Sequence, residues 1–415
     1  MKNKFIFWLS LVLCIFLPLT ACSSSRVAKD LMADVEAADW PTNPDLPSDD
    51  YVKAVSEFSV NLLAASLNQK GNILLSPASV YLALSMTMNG ADGKTLEAMK
   101  EALASAELTE EELNEAARNW ITLLQQTGER TELFVSNSIW VRDAYPVNRT
   151  FLQRNADYYG AAVKALDFGR PEAVDAINDW VKKATRGKID QIIDSIDENV
   201  MMYLMNAIYF KSDWKDPFAA NQTADRTFNA PDGPVTVPFM HQSAKMAYLE
   251  EEGVQGICLP YVDESFAFFA ILPEEDVRSY VSELDRDTLS RLIENQKAAD
   301  VELSIPKFEI RYEDCLKNEL SKLGMDIAFG MDADFSRMSE SGLSDLFISD
   351  VRHKTFCRVD EKGTEAAAVT SVEMSLKSMP ANEKTLIFDK PFLFGILDTR
   401  TNLPLFLGIM ENPKT

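Results

Sequence analysis

Residues 363–379 read GTEAAAVTSVEMSLKSM. After Gly363 the segment is small, nearly without bulk and without a turn residue, yet it lies between two strongly apolar blocks. Ala366, Ala367 and Ala368 are good helix formers, so a helix is one reading. Alternate positions give another. Thr364, Ala366, Ala368, Thr370, Val372 and Met374 form an uncharged set, whereas Glu365 and Glu373 fall in the other set, with Ala367, Val369, Ser371 and Ser375. Period two with one uncharged face is the pattern of a strand. The strand reading is favoured, with a helix and an exposed loop as the alternatives.

The ends carry a different signal. Lys2 and Lys4 precede an uncharged apolar run from Phe5 to Leu19, and Leu19-Thr20-Ala21-Cys22 follows. That run is short for a membrane span but suits a secretory signal. The LTAC block resembles a bacterial lipobox, in which the chain is cut before the cysteine and Cys22 carries lipid. Residues 1–21 are therefore expected to be a lipoprotein signal peptide and 22–49 a lipid-anchored linker. Ser23 after the cysteine resembles the pattern of outer-membrane sorting, on the periplasmic face or the cell surface. Pro41, Pro44 and Pro47 favour an extended, semi-rigid spacer over 40–50.

With Cys14 removed and Cys22 acylated, Cys258, Cys315 and Cys357 remain. They are far apart and have no metal-type spacing, so free, buried thiols are expected. The 41 basic and 64 acidic residues argue against nucleic acid or an anionic bilayer surface as a partner and favour encounter with cationic proteins. A simple gain in solubility explains the charge equally well.

From residue 50 onward there is no low-complexity break and no repeat, so 50–415 reads as one domain. Helical periodicity covers 51–68. Ser76-Pro77 caps a helix that runs to Asn89-Gly90 and is apolar nearly all round. A polar helix is expected over about 109–126, and another from Pro171 to a stop at Gly187. Helices are also expected around 276–295 and 313–323. Strands are expected at 133–141, 200–210, several times over 235–272, and at 355–360, 385–389, 392–397 and 403–410. Helices first and strands later make an α+β class.

Catalytic parts are scarce. The chain has two histidines, His241 and His353, and neither HExxH nor GxSxG. Gly90-Ala-Asp-Gly-Lys-Thr95 ends like a phosphate loop, but the position that needs glycine is Met88, so a turn between helices is the reading. His353 and Cys357 lie four apart on one strand, which suits a buried hydrogen-bonding histidine better than a dyad. No cofactor, no metal and no enzymatic activity are expected.

The stretch VDEKGTEAAAVTS (359–371) resembles the hinge of the reactive-centre loop of serpins. Further blocks resemble the same family in its order. They are NILLSPASVYLALSMTMNGADGKT (72–95), INDWVKKATRGKIDQII (177–193), LMNAIYFKSDWKDPF (204–218), FDKPFLFGILD (388–398) and PLFLGIMENP (404–413). The resemblance implies a serpin fold with three β-sheets, surrounding helices and an exposed reactive-centre loop. It implies a suicide-substrate inhibitor of serine proteases, whose cleaved loop inserts into the main sheet as a new strand and traps the acyl-enzyme. By position it implies hinge residues Glu361, Gly363, Thr364, Glu365, Ala366, Ala367 and Ala368. Ser76, Ser79, Asn206 and His353 correspond to the shutter, and Trp214 to the breach. Counting from Glu361 puts the reactive bond at Lys377-Ser378, which would suit trypsin-like enzymes. Bonds after Met374, Leu376 or Met379 are the alternatives. The expected partners are a serine protease and, through Cys22, a lipid membrane, with the chain acting as a monomer. The second functional class is a non-inhibitory binding protein of the same fold; the permissive hinge favours inhibition.

Overall fold

A computed structural model describes residues 28–143, 145–197, 200–364 and 384–414. Its centre is a seven-stranded sheet in the order Ala28–Asp30, Ala162–Leu166, Thr131–Arg142, Met202–Asp213, Gly363–Thr364, Asp350–Asp360 and Phe308–Cys315. Met202–Phe210 is buried at every position. Such a run belongs to a strand covered on both faces, as its near-continuous apolar sequence indicated.

Behind this sheet lies the helix Pro77–Met88, all twelve residues of which are buried. Ser76 caps it, its side chain accepting from the Ser79 N–H, and Pro77 occupies the first turn, where its missing N–H costs nothing. In front lies the helix Glu172–Ala184. Its Ile177 and Val181 pack against Trp140, Tyr203, Met205 and Ala207 of the sheet. It ends at Ala184, three residues before the expected stop; Arg186 and Gly187 follow in left-handed conformations, φ +50° and +79°, their N–H groups donating to the Lys183 and Lys182 carbonyls. The helix Asp49–Ala65 begins where expected, capped by Ser48.

The remaining strands join into one ladder of nine. Two of the three expected sheets share the 19-residue strand Gly233–Glu251. Its residues 233–239 pair with Ala224–Ala230, residues 239–248 with Lys297–Pro306, and residues 247–251 with the strand Val254–Pro260. Hydrogen bonding therefore runs unbroken from one sheet to the next.

Two expectations need correction. The helix expected over 313–323 starts later. Phe308–Cys315 is a strand, and a single turn over Lys317–Leu320 follows. Alternation of Phe308, Ile310 and Tyr312, all buried, outweighed local helix propensity.

The expected spacer over 22–49 is, from Ala28 onward, part of the folded body. Ala28–Asp30 adds an edge strand antiparallel to Ala162–Leu166. Arg149 donates to the Asp34 carbonyl, Gln153 to the Glu36 carbonyl and Gln126 to the Thr42 carbonyl. Leu31, Met32 and Val35 pack on the main core, and the Trp40 ring lies over Gly160. Prolines do keep this stretch extended, but the exposed sheet edge and the helix Arg149–Tyr159 give its backbone partners.

Candidate functional site

The central sheet is forked. At one end Met202–Asp213 and Asp350–Asp360 pair directly and in parallel, from Tyr203↔Asp350 to Ala207↔Lys354. At the other end two hinge residues separate them. Gly363 and Thr364 pair antiparallel with Asp213 and Ser212 on one side and with Asp360 and Val359 on the other. The strand expectation for the opening stretch thus holds for its first two residues. Glu365, Ala366, Ala367, Ala368, Lys377 and Ser378 lie outside the described residues.

Gly363 has a steric reason to be glycine. A Cβ there would fall on the Ser212 carbonyl oxygen and 2.8 Å from the Asp213 Cα. Only a residue without a side chain lets the chain enter so close to its neighbour. Thr364 follows it with 1% exposure, and its hydroxyl shares a 2.5 Å hydrogen bond with the Tyr261 hydroxyl.

Tyr261 is part of the wall against which the hinge enters. It stacks on Trp214 at 4.8 Å between centroids and 8° between planes. The Trp214 indole N–H donates to the Asp360 carbonyl at 2.8 Å, and its backbone N–H donates to the Lys362 carbonyl at 2.8 Å. Glu361 is held by the Lys307 ammonium at 2.7 Å and by the Thr223 hydroxyl at 2.8 Å. Burial pushes its carboxyl pKa up, but Lys307, its own backbone and Thr223 together bring it below the usual value. The turn before the hinge is thus anchored while Gly363–Thr364 is threaded.

Midway along the fork, three strands and the buried helix meet in one polar cluster. His353, Asn206 and Asn137 stand side by side in register. The Ser76 N–H donates to His353 Nε2 at 3.0 Å. Nε2 therefore carries no proton, and Nδ1–H donates to Asn206 Oδ1 at 2.7 Å. Asn206 Nδ2 in turn donates to the Ser79 hydroxyl at 2.5 Å and to Asn137 Oδ1 at 2.8 Å. Burial pushes the His353 pKa down to about 3, so the ring stays neutral and this directional chain stays intact. The cluster ties the strands together where they would have to part. Its members satisfy one another, so opening the sheet costs their hydrogen bonds until a new strand replaces them.

The sequence reading assigned Ser76, Ser79, Asn206 and His353 to the shutter, Trp214 to the breach and Glu361, Gly363 and Thr364 to the hinge; the fold gathers the first four into one cluster and sets the other four together at the opposite end of the fork. The reading missed Asn137 and Tyr261. Asn137 sits among Ser136 and Ser138 in an otherwise apolar strand, a polar run that was the available signal. Tyr261 had no local signal, because its role comes from stacking on Trp214 across two sheets.

Among the described residues no cysteine is in a disulfide. Cys258 and Cys357 are buried as expected, and burial pushes the Cys258 thiol up to about 12. Cys315 is only half-buried and donates to Asp350; burial, then that contact, push it up to about 11. At neutral pH all of this favours unreactive thiol over thiolate.

Comparison with known proteins agrees with this geometry. A family model described as serpin (serine protease inhibitor) matches residues 53–413. An uncharacterised serpin-like protein of Thermococcus kodakarensis is 34% identical over 368 residues, 88% of this chain and 86% of that one. Leukocyte elastase inhibitor of Sus scrofa is 33% identical over 87% of this chain and 98% of its own length. The thermophilic serpin tengpin is 37% identical. Its native-state structure superposes with a TM-score of 0.88, over 93% of this chain and 99% of that one. Its latent-state structure reaches 0.77, over 89% and 99%. The forked sheet, with two hinge residues between strands that pair directly lower down, is accordingly the nearer match to the native arrangement, and the chain belongs to the serpin family.

Proposed function

We propose that this protein is a suicide-substrate inhibitor of serine proteases, which traps its target by inserting the cleaved reactive-centre loop into the central sheet. The observation that carries this reading is the threaded hinge. Gly363 and Thr364 already occupy strand positions between Ser212 and Val359, and the alternation from Thr364 to Met374 offers the uncharged face that further insertion needs. Continuing in the same direction, the loop would add a strand between Met202–Asp213 and Asp350–Asp360. Each residue added would make backbone bonds worth about 0.5–1.5 kcal/mol net against an ordering cost of about 1–2 kcal/mol. Burial of the uncharged face and relief of the fork then supply the driving force.

The scissile bond in this reading is Lys377-Ser378. Lys377 is the only basic residue between Lys362 and Lys384, so a protease with a carboxylate in its specificity pocket has one clear choice. The chain acts without a cofactor, as a monomer, and is exported and held by acylated Cys22 at the outer membrane.

Incubation with trypsin tests the mechanism. The expected result is a complex that survives SDS, with stoichiometry near one. Cleavage without complex formation would instead support the non-inhibitory reading.

A further inference from the structure

The edge strand fixes where the chain leaves the folded body. Ala28 pairs with Leu166, and Leu166 pairs with Arg142 on its other side. The Arg142 N–H donates to the Met201 carbonyl, and the Ser349 N–H to the Met202 carbonyl. Ala28 therefore sits at the end of the sheet where Met202 and Asp350 begin. The breach, at Ser212–Trp214, is at the other end of the same strand, about 36 Å away at about 3.3 Å per residue.

Five residues separate Cys22 from Ala28, six steps along the chain. They span at most about 20 Å, even fully extended. A lipid on Cys22 therefore holds this pole and the adjoining sheet edge close to the bilayer and keeps the breach end away from it. The pole is suited to it. Tyr145 donates to Asp345, and Val147 bridges Ser339, so the 330–345 segment is folded against this end. It carries Met331, 87% exposed, and Leu343, 61% exposed, two of the four large apolar side chains left exposed among the described residues.

Resting on the lipid anchor proposed above, we infer that the pole formed by Arg142, Tyr145, Val147 and the 330–345 segment is the membrane-facing surface, with Met331 and Leu343 seated among the lipid headgroups. Contact is apolar and driven by the anchor. The acidic charge of the chain gives no electrostatic attraction to an anionic surface, so the orientation should survive high salt. The reactive loop then emerges from the pole facing away from the bilayer, where a soluble protease meets it. The hinge runs antiparallel to both neighbours, so completing its insertion carries the cleaved end toward Met202 and Asp350. A trapped protease would finish at this same pole, so the membrane-seated orientation is that of the uncleaved inhibitor, and capture displaces Met331 and Leu343 from the headgroups while the anchor holds.

The test uses the acylated full-length chain on phosphatidylcholine vesicles carrying a headgroup spin label. One fluorophore is placed at Leu343→Cys. Another is placed at Gln222→Cys, an exposed site next to Thr223, whose hydroxyl binds Glu361. The parent chain, labelled identically, sets the background from its own thiols. The expected result is loss of most emission at 343 and none at 222, unchanged in high salt. Equal quenching at both sites, or quenching at 222 alone, in protein that floats with the vesicles would overturn the orientation and leave the anchor standing. Failure of the chain to float with vesicles would overturn the anchor, and the orientation with it, while leaving protease trapping in solution unaffected.

Discussion

His353→Gln should remove most of the acid sensitivity of the native fold between pH 7 and pH 5. In the unfolded chain a histidine titrates near 6.5; folded, His353 is pushed by burial down to about 3. The unfolded state therefore takes up the proton first. Stability from this residue is complete above about pH 6.5 and falls with acidification until about pH 3, by about 1.4 kcal/mol per pH unit. By pH 5 the loss is about 2 kcal/mol. Glutamine cannot be protonated in this range, and its amide can still accept from Ser76 or donate to Asn206. Its own cost is about 1–3 kcal/mol for the bond it fails to make, and that cost is independent of pH. Burial raises the carboxyl pKa of Glu319, which gives the opposite sign, stabilising the fold as pH falls. Glu361, whose carboxyl is held below the usual value, has the reverse sign and begins to cost stability as pH falls toward 5, so the variant should show a much shallower profile than wild type. Thermal or urea unfolding of both proteins at pH 7 and pH 5, at one scan rate, measures the difference. A glutamine variant that loses as much stability as wild type over this interval would refute the neutral, buried histidine as the origin of the effect.

Thr364→Arg should yield a folded protein that proteases cleave as a substrate, because a guanidinium cannot enter the buried slot beside Tyr261; the SDS-stable complex should disappear from gels. Mass spectrometry of the fragment released by trypsin should begin at Ser378, and Lys377→Ala should slow inhibition of trypsin-like enzymes at least tenfold; a fragment beginning elsewhere moves the reactive bond. Removing residues 23–40 strips the edge strand and Trp40 from the body, which should lower the unfolding midpoint by a few degrees; an unchanged midpoint would mean that these contacts contribute nothing net.

The long, strongly periodic elements were legible in the sequence. Met202–Phe210 read as an interior strand because both faces are apolar, and Ser76-Pro77 announced its helix through cap chemistry alone. The shutter and breach residues were legible only through resemblance to a family, since nothing in the spacing of Ser76, Asn206 and His353 shows that they meet. Ala28–Asp30 was hidden for a physical reason. Three residues with a lysine and an aspartate carry no pattern, and their strand exists because Ala162–Leu166 offers an open edge. Phe308–Cys315 had mixed local preference, and pairing with Asp350–Asp360 together with burial of Phe308, Ile310 and Tyr312 decided it as a strand. Tyr261 became a hinge residue only when two distant strands stacked it on Trp214.

The central claim is that Gly363–Thr364 is the start of a strand the sheet is built to complete. Cutting the loop after Lys377 and comparing thermal unfolding of the cut and intact proteins tests it most directly. Insertion fills the fork between Ala207 and Ser212, then parts the direct pairing from Ala207 down to Tyr203, adds backbone bonds on both sides and buries Ala366, Ala368, Thr370 and Val372, so the cut protein should unfold at a much higher temperature than the intact one. Equal or lower stability after the cut would show that the loop stays outside the sheet, and would contradict the insertion mechanism.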